Sequence, residues 1–220
     1  MLRRRATRRA MLLPVCVIDG FLGPEKSARL LDFATHNQHL FAPSDVHNEA
    51  ASREHGLRRA SLSLVEGHAE ALADFTAAVD ANFIRLCKAV GVPEFVVSEC
   101  EMDLVAHLDG HHYRRHVDVL TEAARAETTA DRMISLVYYV HQQPQAFSGG
   151  ELDLFAIAGP GSHRVEPRHD RLVAFSPMAP HEVRNVTLPG NRFADARFSV
   201  ACWLCRARGG SEDQTPSVAD

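Results

Sequence analysis

Residues 96–118 read VVSECEMDLVAHLDGHHYRRHVD, and this stretch decides the fold. Before Asp109, apolar residues alternate with mostly polar ones, and this period of two is typical of a long, half-buried β-strand. The dipeptide Asp109-Gly110 favours a hairpin turn, so the sequence predicts that the chain reverses there. His116 and Asp118 lie two residues apart in the strand predicted next, so both side chains are expected on one face of the sheet.

Strand-like runs dominate the chain, and turns rich in Gly, Pro or Ser separate nearly all of them. The further runs cover residues 14–18, 113–119, 133–140, 151–157, 172–176, 182–187 and 197–204. Two helices are predicted. One begins at Pro24, and the other covers residues 72–90, where apolar side chains recur every three or four positions. Short strands at such spacing indicate a mainly β fold, a sandwich or barrel, with both helices packed outside one sheet.

The composition is that of one globular domain, with 220 residues of which 45% are hydrophobic and 24% charged. Arginines concentrated in the first ten residues predict a basic, disordered leader at 1–13, followed by the domain at 14–205 and a polar tail at 206–220. The domain is therefore more acidic than the net charge of −4 suggests, which argues against nucleic acid as a partner. No apolar run approaches about 18 residues, so no membrane partner is expected.

The cysteines favour a reducing compartment. Five cysteines are spread widely along the chain, and an odd number does not suit a disulfide framework. Cys202 and Cys205 have the C-x-x-C spacing of zinc sites, but no second pair completes such a site. We therefore expect core thiols and a cytoplasmic protein.

One pair of residues on a predicted strand suits a divalent metal. His116 offers a ring nitrogen and Asp118 a carboxylate oxygen on the same face, and His181 begins a later strand as a candidate third ligand. Two histidines and one carboxylate would leave three coordination positions open on non-haem Fe(II). The H-x-D spacing is common by chance, and a histidine at such a position usually lies on the surface. The sequence around each candidate ligand is therefore needed to distinguish a metal site from a surface histidine.

That surrounding sequence resembles the prolyl-4-hydroxylase-like 2-oxoglutarate/Fe(II) dioxygenases. Six segments match in the order typical of the family, namely residues 110–118, 133–140, 148–152, 171–176, 181–183 and 197–203. The resemblance extends over roughly residues 14–205. It implies a double-stranded β-helix, or jelly roll, with supporting helices, which agrees with the strand pattern.

The resemblance also implies a chemistry. Fe(II) would be held by His116, Asp118 and His181, with 2-oxoglutarate and O₂ as cosubstrates and ascorbate as an accessory cofactor. The implied reaction is hydroxylation of an unactivated C–H bond, with succinate and CO₂ as coproducts. Halogenases of this type replace the carboxylate ligand by a small residue, so Asp118 favours hydroxylation.

Arg197 is the expected partner of the far carboxylate of 2-oxoglutarate. A cation on an apolar strand needs a buried anion, and a guanidinium binds a carboxylate through two hydrogen bonds. Tyr139 would add a phenol hydrogen bond. His107 stands where the family often has a tyrosine that supports the cosubstrate. The sequence therefore departs from the family pattern at this wall of the cosubstrate pocket. The remaining candidates for the pocket wall are Tyr113, Leu152, Val183 and Trp203, and plain core packing is the alternative for the last three.

His111 and His112, together with His107, form an alternative set of candidate metal ligands. We interpret His111 and His112 as turn-exposed, since neither fits the triad that the family uses. Residues 120–131 are polar and follow the metal strand, where they form either a substrate lid or a solvated connection.

The substrate is left open by the sequence. A prolyl or other amino-acid side chain, peptidyl or free, is the favoured target. The alternatives are a small-metabolite hydroxylase of the same class and a non-catalytic sensor that binds iron and 2-oxoglutarate. The oligomeric state is not predicted.

Overall fold

The computed structural model describes residues 10–44, 58–59, 62–65, 67–120 and 125–209. Two antiparallel sheets make up its frame, with strands numbered here in chain order. The larger sheet has the strand order β1 (Val15–Asp19), β11 (Arg171–Phe175), β7 (Ala130–Val140), β14 (Arg197–Ala207), β5 (Glu99–His107), β4 (Leu62–Leu64) and β2 (Phe41–Pro43). The smaller sheet has the order β10 (Ser162–Val165), β9 (Leu152–Phe155), β12 (His181–Val183), β6 (His112–His116) and β3 (Arg58–Arg59). A short ladder pairs β8 (Ser148–Gly149) with β13 (Val186–Thr187).

The helices α1 (Pro24–His36), α2 (His68–Ala71) and α3 (Ala73–Val90) precede β5 in the chain. Pro24 begins α1, where its missing N–H costs nothing. Gly91 ends α3 in a left-handed conformation with φ 74°, which glycine adopts without strain. The apolar faces of α1 and α3 bury against the larger sheet, in a cluster that includes Leu30, Leu31, Phe75, Val79, Leu86, Leu104, Leu136, Tyr138 and Val200. The prediction of a mainly β fold with helices outside one sheet is confirmed.

The predicted hairpin at Asp109-Gly110 is wrong. β5 pairs with β4 and β14 in the larger sheet, whereas β6 pairs with β3 and β12 in the smaller one. The turn therefore carries the chain from one sheet to the other. Its polar groups bind a distant segment instead of closing a ladder: Gly110 N donates to the Val186 carbonyl at 2.8 Å, and Asp109 Oδ1 accepts from Leu188 N at 2.9 Å.

Several boundaries differ from those predicted. The run at 182–187 is two short strands, β12 and β13, and β6 ends two residues before Asp118. Ordered structure passes both limits of the predicted domain, because Met11 forms a β-bridge with Ala158 and β14 reaches Ala207. Residues 1–9 of the predicted leader, 121–124 of the predicted lid and 210–220 of the predicted tail lie outside the described residues.

A second apolar cluster lies between the two sheets. Tyr139, Val173 and Phe175 of the larger sheet pack there with Leu152, Leu154 and Val165 of the smaller one. Because side chains alternate along a strand, the row of β14 that faces this space is Arg197, Ser199, Ala201 and Trp203. The sheets thus enclose a space whose lining mixes apolar and polar groups. Among the described residues, no helix is both long and apolar enough to cross a lipid bilayer.

Asp170 joins the larger sheet to the start of α1. Its carboxylate accepts hydrogen bonds from Leu22 N at 2.8 Å, Gly23 N at 2.9 Å and the Tyr138 hydroxyl at 2.9 Å. The residue is 7% exposed and has φ 56°, a left-handed conformation that aspartate and asparagine tolerate better than most residues. The buried carboxylate therefore satisfies three donors at once.

Replacing Asp170 by Asn tests this junction. Asn tolerates the same backbone conformation but offers only one acceptor oxygen, so a buried donor loses its partner. We expect Asp170→Asn to lower the free energy of unfolding, measured by urea denaturation, by about 1–3 kcal/mol. Asp131→Asn is the control, because it weakens only solvent-accessible ion pairs with Arg125 and Arg208 and should cost less than about 1 kcal/mol. Equal losses in the two variants would contradict the role given to Asp170.

Candidate active site

The structure brings His116, Asp118 and His181 together at one place between the sheets. His116 and His181 are direct partners in the antiparallel ladder of β6 and β12. Asp118 Oδ1 lies 3.4 Å from His116 Nε2, and Asp118 Oδ2 lies 3.6 Å from His181 Nε2. One ligand atom from each residue falls within 4.8 Å of the other two, which is the spacing of a single metal ion.

The histidine rings are oriented for metal binding. His116 Nδ1 lies 2.8 Å from the Arg114 carbonyl, and His181 Nδ1 lies 2.9 Å from the Ala179 carbonyl. A carbonyl accepts only from a protonated nitrogen, so these contacts place the hydrogen on Nδ1 and leave the lone pair on Nε2. Burial lowers the pKa of His181 despite the nearby Asp118 charge, which favours the neutral ring that a metal requires.

Asp118 is held in its ionised form. Burial would raise the pKa of this carboxyl, but its contacts with His116, His181 and the Ser135 hydroxyl together lower it well below its usual range. Ser135 Oγ donates to Asp118 Oδ2 at 2.7 Å. Two imidazole nitrogens and one carboxylate oxygen are the donor set of non-haem Fe(II) sites with open positions. The residues present therefore fit Fe(II).

A β-bulge shapes the wall beside His116. Between its pairs with His181 and Val183, β6 contains one residue more than β12, and such a bulge changes which side chains share a face. As a result, the Tyr113 ring stacks on the His116 ring at a centroid distance of 3.8 Å. Phe175 packs edge-on against His181 at 4.8 Å, so aromatic rings restrict both histidines of the cluster.

Arg197 is buried in the space between the sheets with 1% of its surface exposed. Its Nε donates to the Gly150 carbonyl at 2.8 Å, and its Nη1 lies 3.3 Å from both His107 Nδ1 and Ser199 Oγ. Its Nη2 is buried with no hydrogen-bond partner among the described residues. Burial lowers the pKa of Arg197, but a guanidinium keeps its charge in proteins. A buried cation with an unused donor calls for an anion.

Tyr139 presents the second unused donor. Its hydroxyl is buried and also lacks a partner among the described residues. The guanidinium carbon of Arg197 lies 4.8 Å from the centre of the Tyr139 ring. Burial raises the pKa of Tyr139, so the phenol keeps its proton and remains a donor. Together the two residues offer an N–H and an O–H to an acceptor.

Gly150, shortly before β9, leaves room for the Arg197 side chain. A Cβ at this position would lie 2.5 Å from Cδ of Arg197, and the backbone has φ 72°. Any larger residue would displace the guanidinium, which needs the Gly150 carbonyl as its acceptor. The segment 148–150 is therefore adapted to hold Arg197.

The other predicted site residues lie around the same space. His107 is the direct ladder partner of Arg197. Leu152 and Val183 are ladder partners of one another and pack in the cluster with Tyr139. Trp203 lies opposite Ser135, at the end of the row nearer Asp118. His111 contacts the Leu108 backbone through Nδ1 at 3.0 Å and is not part of the three-residue metal cluster.

Two residues at the site escaped the sequence analysis. Ser135 shares strand parity with Tyr139, so its inward direction was available from the sequence, although its bond to Asp118 was not. Arg132 lies over the Trp203 ring at 4.1 Å and donates from Nη1 to the Asp118 carbonyl at 3.3 Å. No sequence pattern pointed to Arg132.

Comparison with known proteins agrees with this geometry. Residues 102–205 match the family model of the 2OG-Fe(II) oxygenase superfamily. This segment, just under half of the chain, is similar to that superfamily. The 196-residue alignment of the chain with an uncharacterised PKHD-type hydroxylase from Synechocystis shows 31% identity and covers 85% of the chain but 61% of that relative. The chain thus spans about three fifths of the relative's length. Both similarities agree with the oxygenase family expected from the sequence.

Solved structures show the same fold for this chain. A prolyl hydroxylase from Trichoplax adhaerens, solved with a hypoxia-inducible factor peptide, superposes with a TM-score of 0.64 at 19% identity, over 86% of this chain and 82% of that one. A Pseudomonas putida prolyl-4-hydroxylase gives 0.60 at 24% identity, over 90% and 94% of the two chains. The predicted jelly-roll fold is confirmed.

The metal ligands are tested by a pair of histidine variants. Because His116 would supply one of three ligand atoms, we expect His116→Ala to lower the affinity of the protein for Mn²⁺ or Co²⁺ at least about 100-fold, measured by calorimetric titration. His111→Ala should bind these ions as the wild type does. Loss of binding in His111→Ala, with retention in His116→Ala, would favour the rival histidine set.

Proposed function

We propose that this protein is a 2-oxoglutarate-dependent Fe(II) hydroxylase that acts on a prolyl or other amino-acid side chain. The observation that carries the proposal is the joint presence of the His116, Asp118 and His181 cluster and the two unused donors of Arg197 and Tyr139. The cluster suits the metal and the donors suit a carboxylate. Both occur in the space between the sheets of one oxygenase domain.

The metal would supply the oxidation itself, activating O₂ together with 2-oxoglutarate and yielding succinate, CO₂ and a hydroxylated product. The protein's own contribution is to hold His116 and His181 by their Nδ1 hydrogen bonds and to keep Asp118 ionised. Three protein ligands leave open positions for the cosubstrates. Aromatic rings on both histidines restrict ring rotation, which keeps the three donor atoms directed at one point.

The side chains of the larger sheet that face the space between the sheets support a position for the cosubstrate. Trp203 and Ser135 lie opposite one another near Asp118, and Ser199 and Tyr139 lie opposite one another near Arg197. Ala201, a small residue, lies between them on β14. A ligand with a carboxylate at each end, such as 2-oxoglutarate, would therefore reach from the metal along Ala201 to the guanidinium. The far carboxylate would accept hydrogen bonds from Arg197 Nη2 and the Tyr139 hydroxyl.

The class of substrate is supported by the fold. The structural neighbours are named as prolyl hydroxylases, and one of them holds a peptide. On that basis we propose a prolyl or related amino-acid side chain as the substrate of this protein. Ascorbate as an accessory cofactor stays a prediction of the family resemblance.

The activity is tested by incubating the protein with Fe(II), 2-oxoglutarate and a library of proline-containing peptides and free amino acids. We expect succinate to form and one substrate to gain the mass of one oxygen atom. Fragmentation should place the oxygen on proline, and the same peptide with Ala in place of Pro should remain unmodified. Oxidation of another side chain would revise the substrate, whereas succinate formation no greater than in His116→Ala would contradict the proposal.

Variants of Arg197 and Arg192 distinguish an arginine that binds the cosubstrate from one that lies on the surface. Arg197→Ala removes a buried charged contact worth about 1.5–3 kcal/mol per hydrogen bond, so the KM for 2-oxoglutarate should rise about 100-fold or more. Arg192 forms an exposed ion pair with Asp195, and Arg192→Ala should change this KM only a few-fold. The reverse order in 2-oxoglutarate titrations would overturn the assignment of Arg197.

A milder variant keeps this test informative if Arg197→Ala folds poorly. Tyr139→Phe removes only a hydroxyl that has no partner among the described residues, so the fold should be unaffected. Loss of one hydrogen bond to a charged carboxylate should raise the KM for 2-oxoglutarate about 10-fold. An unchanged KM would show that the Tyr139 hydroxyl does not contact the cosubstrate.

A further inference from the structure

Asp118 is held differently from the two histidines of the metal cluster. His116 and His181 belong to the ladder of β6 and β12, whereas Asp118 lies beyond the end of β6. Its backbone is fixed by two contacts from elsewhere in the chain. Its N–H donates to the Pro177 carbonyl at 2.9 Å, and its carbonyl accepts from Arg132 Nη1 at 3.3 Å. Without strand pairing, these contacts decide where the carboxylate lies.

Arg132 is itself restrained on several sides. Its Nε donates to Glu101 Oε2 at 3.0 Å, its Nη2 pairs with the same oxygen, and its guanidinium carbon lies 4.1 Å from the centre of the Trp203 ring. Glu101 is the ladder partner of Trp203 and also accepts from Cys205 Sγ at 3.3 Å. The Arg132 side chain is only 16% exposed, so solvent screens this ion pair less than a surface pair.

We propose that Arg132 is a positioning residue for the metal ligand Asp118. This inference rests on the proposed metal site. Ser135 orients the Asp118 carboxylate through Oδ2, and Arg132 fixes the Asp118 main chain through its carbonyl. The position of Arg132 is in turn set by Glu101 and Trp203, which belong to neighbouring strands of the larger sheet. Residues of the larger sheet therefore position Asp118, which lies outside the strand pairing of the smaller sheet.

The geometry requires a guanidinium at position 132. Its separate N–H groups bind Glu101 and the Asp118 carbonyl at the same time, while the guanidinium carbon lies over the Trp203 ring. A lysine ammonium keeps the charge opposite Glu101 but lacks the planar fork that serves both acceptors. Arg132→Lys thus preserves the ion pair while removing the restraint on Asp118.

The test measures metal affinity directly. Contacts that orient a metal ligand typically contribute 10–100-fold to affinity, so we expect Arg132→Lys and Arg132→Ala to bind Mn²⁺ and Co²⁺ about 10–100-fold more weakly in calorimetric titrations. Arg125→Lys is the matched control, because Arg125 forms an exposed ion pair with Asp131. It should bind both ions as the wild type does. Trp203, the only tryptophan of the chain, reports binding independently through its fluorescence in the wild type and the control.

Two readouts separate positioning from general stability. The Co²⁺ absorption spectrum of saturated Arg132→Lys should differ from that of the wild type, because the ligand geometry changes while the Tm stays close to the wild-type value. Millimolar guanidinium should restore part of the metal affinity of Arg132→Ala by occupying the vacated site. If Arg132→Lys has wild-type affinity and spectrum, the positioning role is wrong. A loss of affinity that only parallels a fall in Tm, without a spectral change or guanidinium rescue, would overturn it equally.

These outcomes are distinct from failure of the proposed function. A wild-type protein that binds neither Mn²⁺ nor Co²⁺ would contradict the metal site and the positioning role together. A wild type that binds metal but forms no succinate would contradict the hydroxylase proposal, while the affinities of the Arg132 variants would still decide the role of Arg132.

Discussion

The antiparallel pairing of β6 with β12 is the constraint on which the rest of the site depends. It sets His116 directly opposite His181, and the backbone carbonyls of Arg114 and Ala179 then fix which nitrogen of each ring is free. Residues on neighbouring strands at such positions are held by main-chain hydrogen bonds and not by side-chain packing alone. The two candidate nitrogen ligands are therefore held in place by the fold itself.

Buried charge is the second determinant of the site. Arg197 is an almost fully buried cation with one donor unused, and Asp118 is a buried anion whose pKa is lowered by the residues around it. An unpaired buried cation is costly, so a fold that keeps Arg197 there gains from a ligand that neutralises it. Gly150 lacks a side chain for the same reason, since a Cβ would occupy the place of the guanidinium. The charges, more than the apolar lining, define what the space between the sheets accepts.

Much of the fold was predictable from local patterns. The alternation in β5, the Pro24 start of α1 and the Gly91 end of α3 all depend on steric and hydrogen-bonding preferences of adjacent residues. The hairpin at Asp109-Gly110 was wrong because the turn dipeptide specifies a reversal but not the partner of the next strand. That partner is chosen by contacts about eighty residues away along the chain, at Val186 and Leu188.

The sequence by itself determined the mainly β fold, the principal helices and which residues are candidates to bind a metal and a dicarboxylate, because residue type, spacing and motif order are local properties. Only the tertiary structure decided that His116 faces His181, that Arg197 and Tyr139 keep donors without partners among the described residues, and that Arg132 reaches the Asp118 carbonyl. Arg132 comes from another strand, and a long side chain with several donors has no preferred partner in sequence. Its role depends on the packing of Glu101 and Trp203, which exists only after the sheet has formed.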